Sequence, residues 1–345
     1  MTTLLDDDAV RVPTKQALAT VRTTQVRRWL RVGGWIALGT AGSLTLAIGA
    51  ASFSLSGLLI RPRLKRLSQL RSPHLRRLIR RSGIAYEDVT IPSFDGTRLY
   101  GWWMAASKRA PTIVALHGVK KNRTDVLRAA LVLRRAGFNV LVFDGRAHGD
   151  SEGRFVTYGF YERRDVETAI EWLIAEKLID RRRVGLAGES MGAAIALQVA
   201  AHNPWIGAVW ADSPFASLRR VAEEFMQRVT RLPGAVLSPV MWTTIQVANY
   251  RGKFDIETVN PLELAAKINC PVQLVHGAED QLIATVHSEQ IYEALGGDKE
   301  IWVVEGARHA RSVRHSKTEY SARLRKFFRK NLVSPAGGRR PGGSG

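Results

Sequence analysis

Ser190 stands in Val184-Gly185-Leu186-Ala187-Gly188-Glu189-Ser190-Met191-Gly192-Ala193-Ala194, where an apolar run meets Gly-x-Ser-x-Gly and then an alanine-rich stretch. Read as strand, turn and helix, this forces a turn so tight that only small residues fit at 188 and 192. The serine is then held in a strained backbone conformation with its hydroxyl exposed at a helix N-terminus. That terminus favours an oxyanion developing beside it. Gly-x-Ser-x-Gly alone is a weak signal. The flanking strand and helix make it a strong one.

A serine hydroxyl is a poor nucleophile near neutral pH, so a base must take its proton. An imidazole suits that task, and a carboxylate must hold its tautomer and stabilise the imidazolium. His309 lies five residues beyond the apolar run 300–304, in Gly306-Ala307-Arg308-His309. Asp280 lies in His276-Gly277-Ala278-Glu279-Asp280, four residues past His276. The expected triad is Ser190, Asp280 and His309. Each partner has rivals. Glu279 is adjacent to Asp280, and Asp212 follows the strand after the nucleophile helix. His117, His148 and His276 also follow strands, but each sits beside a glycine in a loop and reads as a structural imidazole. His315 falls at the start of a helical stretch. Glu189 reads as a support for nearby loops.

These segments resemble the α/β-hydrolase superfamily over residues 84–332, most closely the serine aminopeptidase-like hydrolases, including bacterial members with an N-terminal membrane anchor. Leu116-His117-Gly118-Val119 resembles that family's His-Gly loop, Phe143-Asp144-Gly145-Arg146-Ala147-His148-Gly149 its next turn, and Ala211-Asp212-Ser213-Pro214-Phe215 the exit of the following strand. The chain order Ser, Asp, His is the one this fold uses. The resemblance implies an oxyanion hole made by the backbone N–H groups of Val119 and Met191. Valine at 119 departs from the residue types some relatives have there, and its bulk would narrow the acyl site. Serine at 190, where aspartate would be needed, argues against dehalogenase or epoxide hydrolase chemistry.

The elements that must position these residues alternate in the manner of a parallel sheet covered by helices. Strands are expected near 86–92, 98–104, 112–116, 139–143, 183–187, 207–211, 271–275 and 300–304. Helices are expected near 123–136, 162–177, 191–202, 285–295 and 316–331. The fold class is therefore α/β, and the resemblance implies an α/β-hydrolase fold with a mostly parallel eight-stranded sheet. Residues 214–262 break the alternation and read as a small helical cap. Its Phe215, Phe225, Met226, Met241 and Trp242 are equally candidates for an acyl pocket or for the cap's own core.

The expected organisation is a polar, poorly ordered segment 1–31, a transmembrane anchor 32–60, a basic amphipathic linker 61–83, the hydrolase domain 84–332 and a disordered tail 333–345. From Val32 to Ile60 no ionisable residue appears. Such a run would make a helix about 43 Å long against a hydrocarbon core of about 30 Å. Glycines 33, 34, 39, 42, 49 and 57 dilute its hydrophobicity. A cleaved signal peptide is the competing reading, and the apolar run continuing past Ala50 argues against it. Of the net charge of +20, residues 1–83 carry +12 (15 Lys/Arg, 3 Asp/Glu), and nine Lys/Arg with no acid fall within 61–81. An anionic membrane surface is the expected partner, and no nucleic-acid motif is present. Basic residues flank the run almost equally, with a slight lean toward a cytoplasmic catalytic domain. The location expected is the cell membrane, single-pass. No metal-ligand or phosphate-loop pattern appears, so no cofactor is expected. The lone cysteine, Cys270, excludes an intrachain disulfide and reads as a packing thiol.

The chemistry expected is acyl transfer to water through an acyl-Ser190 intermediate, on an acyl-containing small molecule or lipid. Esters are the first choice. Thioesters and amides use the same machinery, and peptides come second. The alternative is a non-catalytic binding protein on the same fold.

Overall fold

The computed structural model describes residues 15–61 and 81–333. Eight strands form one sheet: β1 (Glu87–Pro92), β2 (Arg98–Met104), β3 (Thr112–Leu116), β4 (Asn139–Phe143), β5 (Val184–Glu189), β6 (Ala208–Asp212), β7 (Val272–Gly277) and β8 (Lys299–Val304). Their order is β1-β2-β4-β3-β5-β6-β7-β8. β1 pairs antiparallel with β2, β2 antiparallel with β4, and every other pair is parallel. This is the α/β-hydrolase sheet expected.

Burial explains the strand sequences. Every residue of β3 to β7 is buried, because helices cover both faces, so these strands read as continuous apolar runs. The edge strand β1 alternates instead: Val89 and Ile91 face inward, while Thr90 and Pro92 face out. Five helices cover the sheet: α2 (Leu127–Arg135), α3 (Phe160–Lys177), α4 (Met191–His202), α7 (Val286–Ala294) and α8 (Lys317–Leu332). Of these, α4 is the most deeply set, with Met191 to Ala200 all buried. Its small alanines let it lie close to the strands.

The cap lies between β6 and β7 and contains α5 (Leu218–Thr230) and α6 (Gly234–Gly252). Ser217 caps α5 by accepting from the Arg220 N–H. A third core cluster joins the cap to the body: Phe215, Leu218, Ile245, Ala248 and Phe254 pack with Ala194 of α4.

The N-terminal region departs from expectation twice. A single helix, α1, runs from Lys15 to Ile60, so residues 15–31 are helical. The stretch after Pro13 is rich in good helix formers such as Ala and Gln. Second, the transmembrane span expected over 32–60 is not supported: among the described residues, no helix is long and apolar enough to cross a membrane. The glycines and hydroxyl residues dilute the run, and its last three turns have a protein partner. Ser52, Ser56 and Ile60 lie on one face and are buried. The Ser52 hydroxyl shares a 2.6 Å hydrogen bond with the Thr243 hydroxyl of α6, Tyr158 donates to the Leu59 carbonyl at 3.0 Å, and Ile60 enters the cap cluster. The basic linker falls almost wholly outside the described residues, as do the tail from 334 and residues 1–14.

Candidate active site

The elbow after β5 holds Ser190 at φ 55° and ψ −119°, in the left-handed region that strains a residue with a side chain. Close packing imposes the two glycines. A Cβ on Gly188 would lie 2.2 Å from the Gly192 carbonyl oxygen, and one on Gly192 would lie 2.3 Å from the Leu116 carbonyl oxygen. The Ser190 N–H donates to the Asp212 carbonyl at 2.7 Å, which ties the elbow to β6.

Three side chains converge at this edge of the sheet. The Ser190 hydroxyl lies 2.8 Å from His309 Nε2, and His309 Nδ1 lies 2.7 Å from Asp280 Oδ2. The Nδ1–H donates to the carboxylate, which leaves Nε2 free to accept the serine proton. Asp280 Oδ1 accepts from the N–H groups of Leu282 and Ile283, both at 2.9 Å. Burial would raise the Asp280 pKa, but hydrogen bonds from His276 and His309 outweigh it and hold the carboxyl well below the usual carboxylate range. It is thus a fixed anion across the neutral range.

The rivals lie elsewhere. Glu279 is exposed. Asp212 is buried beside Ser213 and Ser312, each 3.1 Å from its Oδ1, and burial raises its pKa. His315 is exposed near Gly306.

His117 and His148 staple the candidate oxyanion loop. His117 Nε2 accepts from the Gly145 N–H at 2.9 Å, so its Nδ1–H donates to the Gly118 carbonyl. His148 Nε2 accepts from the Lys120 N–H at 3.3 Å, so its Nδ1–H donates to the Arg146 carbonyl. Burial pushes the two imidazoles down to about 4 and about 3, so both are neutral. The loop is thereby pinned against the nucleophile: a Cβ on Gly118 would lie 3.2 Å from the Ser190 Cβ. Val119 follows, half-buried. Among the described residues no carbonyl accepts from its N–H. Met191, the first residue of α4, has an N–H without an intrahelical acceptor. These two donors are the expected oxyanion hole.

Two contacts escaped the sequence reading. His276, expected to be structural, reaches the acid: its Nε2 lies 3.2 Å from Asp280 Oδ2 and 2.9 Å from the Ile283 carbonyl. Both neighbours are acceptors, so Nε2 carries the proton. Nδ1 then accepts from the buried Ser288 hydroxyl at 2.7 Å. The only sequence signal was the four-residue spacing of His276 and Asp280 at a strand end. The other contact joins Glu189 to Lys121 Nζ at 3.3 Å. Burial pushes Glu189 up to about 7, and Lys121 opposes that shift.

The cap candidates divide. Phe215 and Met241 are buried, and Phe215 belongs to the cap core. Phe225 and Trp242 are exposed, and Met226 is half-buried. The cap is tied to the acid loop's helix by Glu224, which accepts from His287 at 2.9 Å. Cys270 is buried, and burial pushes its thiol up to about 12. Among the described residues, no three His, Cys, Asp or Glu side chains gather into a set able to hold a metal ion.

Sheet order, elbow and the convergent serine, histidine and aspartate define a serine hydrolase of the α/β-hydrolase fold. Residues 125–334 match the prolyl oligopeptidase family, and the chain belongs to it. It is similar to the uncharacterized protein YqkD of Bacillus subtilis, at 32% identity over 69% of this chain and 77% of that one. Among solved structures it resembles the esterase Pf2001 of Pyrococcus furiosus, with a TM-score of 0.61 and 28% identity over 73% of this chain and 94% of that chain. The acylaminoacyl peptidase of Pyrococcus horikoshii shares the fold, with a TM-score of 0.58 at 17% identity over 74% of this chain and 43% of that chain.

Proposed function

We propose that this protein hydrolyses carboxylic esters through an acyl-Ser190 intermediate, with His309 as general base and acid and Asp280 as the orienting carboxylate. The observation that carries this reading is the unbroken hydrogen-bonded chain from the Ser190 hydroxyl through His309 to Asp280, at 2.8 and 2.7 Å. Ser190 Oγ attacks the ester carbonyl carbon as its proton passes to His309 Nε2. The oxyanion accepts from the N–H groups of Val119 and Met191. Collapse breaks the C–O bond, and the alcohol leaves with the proton from His309. Water then repeats the sequence on the acyl-enzyme and releases the acid. Donors already in place act on charge that exists only in the transition state, and one is typically worth about 3 kcal/mol.

Esters are placed first because the resemblance to an esterase runs along nearly all of that protein, whereas the peptidase is matched over less than half. The family match keeps peptidase as the second reading. The half-buried and exposed apolar side chains of the cap suit an acyl chain. The excess positive charge toward the N-terminus suits work at an anionic membrane surface, with α1 as an attachment docked on the cap.

A fluorophosphonate probe tests the chemistry. Labelling is expected at Ser190 and lost in Ser190→Ala. Turnover of p-nitrophenyl esters is expected to exceed that of aminoacyl p-nitroanilides. No labelling of the folded protein would leave a binding protein. Faster anilide turnover would put the peptidase reading first.

A further inference from the structure

Three arginines gather around the last turn of α1 without a carboxylate among them. The Arg61 guanidinium lies 4.6 Å from the centre of the Phe155 ring, and Arg154 stacks on the same ring at 5.3 Å. Arg251, from the end of α6, lies 4.2 Å over Phe53 and donates to the Phe53 carbonyl at 2.8 Å and to the Ser56 hydroxyl at 2.7 Å. Its guanidinium lies within 3.8 Å of where a Cβ on Gly57 would sit, one helical turn before Arg61. The Val156 N–H donates to the Ile60 carbonyl at 2.9 Å, so the loop carrying Arg154 is fastened to this helix end.

The three like charges repel one another, and an anion placed among them would be attracted by all three. Among the described residues, no Asp or Glu side chain pairs with any of the three, although acid partners are common for arginines elsewhere in the chain. Residues 62–80, which follow directly, contain no acid at all. The carbonyl end of a helix carries about half a negative charge, far less than three guanidiniums. Partial desolvation and then the charges of Arg154 and Arg251 lower the Arg61 pKa, which marks mutual repulsion. Cation–π contacts hold the groups in place without neutralising them. An anion would neutralise them. Each guanidinium is a planar fork of donors of the sort that phosphate oxygens accept from, and here three come from separate segments around one helix end.

We infer that Arg61, Arg154 and Arg251 form a phosphate-binding site at the junction of α1, α6 and the loop before α3. The ligand is a phosphate ester or free phosphate. The exposed Phe53, Leu58 and Tyr250 beside these arginines favour the headgroup of an anionic phospholipid. The site shares no residue with Ser190, His309 or Asp280, so it stands or falls separately from the hydrolase reading.

The test uses the full chain in a neutral detergent, with thermal stability as the readout at constant ionic strength. Short-chain phosphatidylglycerol, short-chain phosphatidylcholine and inorganic phosphate are titrated against a chloride control. Phosphatidylglycerol is expected to raise Tm in a saturable way. In Arg61→Gln/Arg154→Gln its apparent Kd is expected to weaken about tenfold or more, while turnover of a soluble p-nitrophenyl ester stays unchanged. Inorganic phosphate acting as well as the lipid would support the site and make free phosphate its ligand. No saturable effect of either anion would overturn the site, as would equal stabilisation by phosphatidylcholine or undiminished binding by the double variant. Should the double variant not fold, Arg154→Gln, which alters only an exposed loop residue, is expected to show a partial loss. Full binding by that variant would also overturn the site.

Discussion

The carboxyl edge of the sheet and the cap with its attached helix are built in opposite ways. At the sheet edge most polar side chains are buried and partnered, imidazoles are held in one tautomer, and two glycines are imposed by carbonyls about 2 Å from any added Cβ. On the cap side, Trp242, Phe225 and Tyr250 are exposed, Pro239 lies within α6, and three arginines have no acid partner among the described residues. A site that must hold reacting atoms within fractions of an ångström needs the first kind of construction. A surface that must meet a variable chain or a lipid is better served by the second. The difference teaches where substitution should be felt.

The largest effect is expected at the acid. Asp280→Asn should lower ester turnover by about 10⁴, the scale seen when the equivalent carboxylate of a serine protease is amidated. Asp212→Asn should leave turnover within about tenfold, because Asp212 bonds two serines and not His309. Steady-state kinetics on the two variants decide between them. A reversed ranking would move the acid to β6.

An intermediate effect is expected at His276. Its Nε2–H bonds the Ile283 carbonyl at 2.9 Å and lies 3.2 Å from Asp280 Oδ2, so it supports the carboxylate, whereas His309 transmits the proton chemistry. A hydrogen bond to a charged group is worth about 1.5–3 kcal/mol, so His276→Phe should reduce kcat about ten- to a hundredfold with KM little changed. The sign of the pH effect follows from the same bond. His276 helps hold the Asp280 pKa low, so its loss raises that pKa, and the loss of activity caused by protonating Asp280 at strongly acid pH sets in at a higher pH. A kcat loss with that strongly acid step unmoved would make His276 a packing residue only.

The smallest effect is expected on the cap. Trp242→Ser removes an exposed ring, and surface changes of this kind stay within about 0.5 kcal/mol. Urea denaturation should show no more than that, while the preference among p-nitrophenyl esters of different chain length shifts. Strong destabilisation would mean that Trp242 is packed, and the contrast between the two regions would weaken.

Much of the sheet edge was legible because its signals are local. Five strands buried on both faces read as apolar runs, and the elbow declares itself within eleven residues because strand, glycine, serine, glycine and helix are adjacent along the chain. The edge strand β8 was also found, although its exposure is mixed. The helix docking of α1 was not legible. An uncharged run of alternating apolar and small residues has the same composition whether it meets lipid or protein, and only the contacts of Ser52, Ser56 and Ile60 distinguish the two.

The sequence by itself determined the class of chemistry: a serine on a strand-to-helix turn, followed in order by candidate acids and histidines, is a covalent property of the chain. Only the tertiary structure shows the carboxylate that the sequence favoured in contact with the imidazole. Asp212, Glu279 and Asp280 are equivalent in type; the sequence favoured Asp280 but could not show its contact with His309. They separate because β7 ends one turn from the His309 loop: the Glu279 N–H bonds the Ala307 carbonyl at 2.9 Å, which leaves Glu279 outward and turns Asp280 inward to His309. The neutral tautomers of His117 and His148, the second hand of His276 on Asp280 and the gathering of Arg61, Arg154 and Arg251 arise in the same way. Apart from the four-residue pair His276 and Asp280, these depend on distances between residues tens to hundreds of positions apart, and all of them exist only once the strands have paired and the helices have packed.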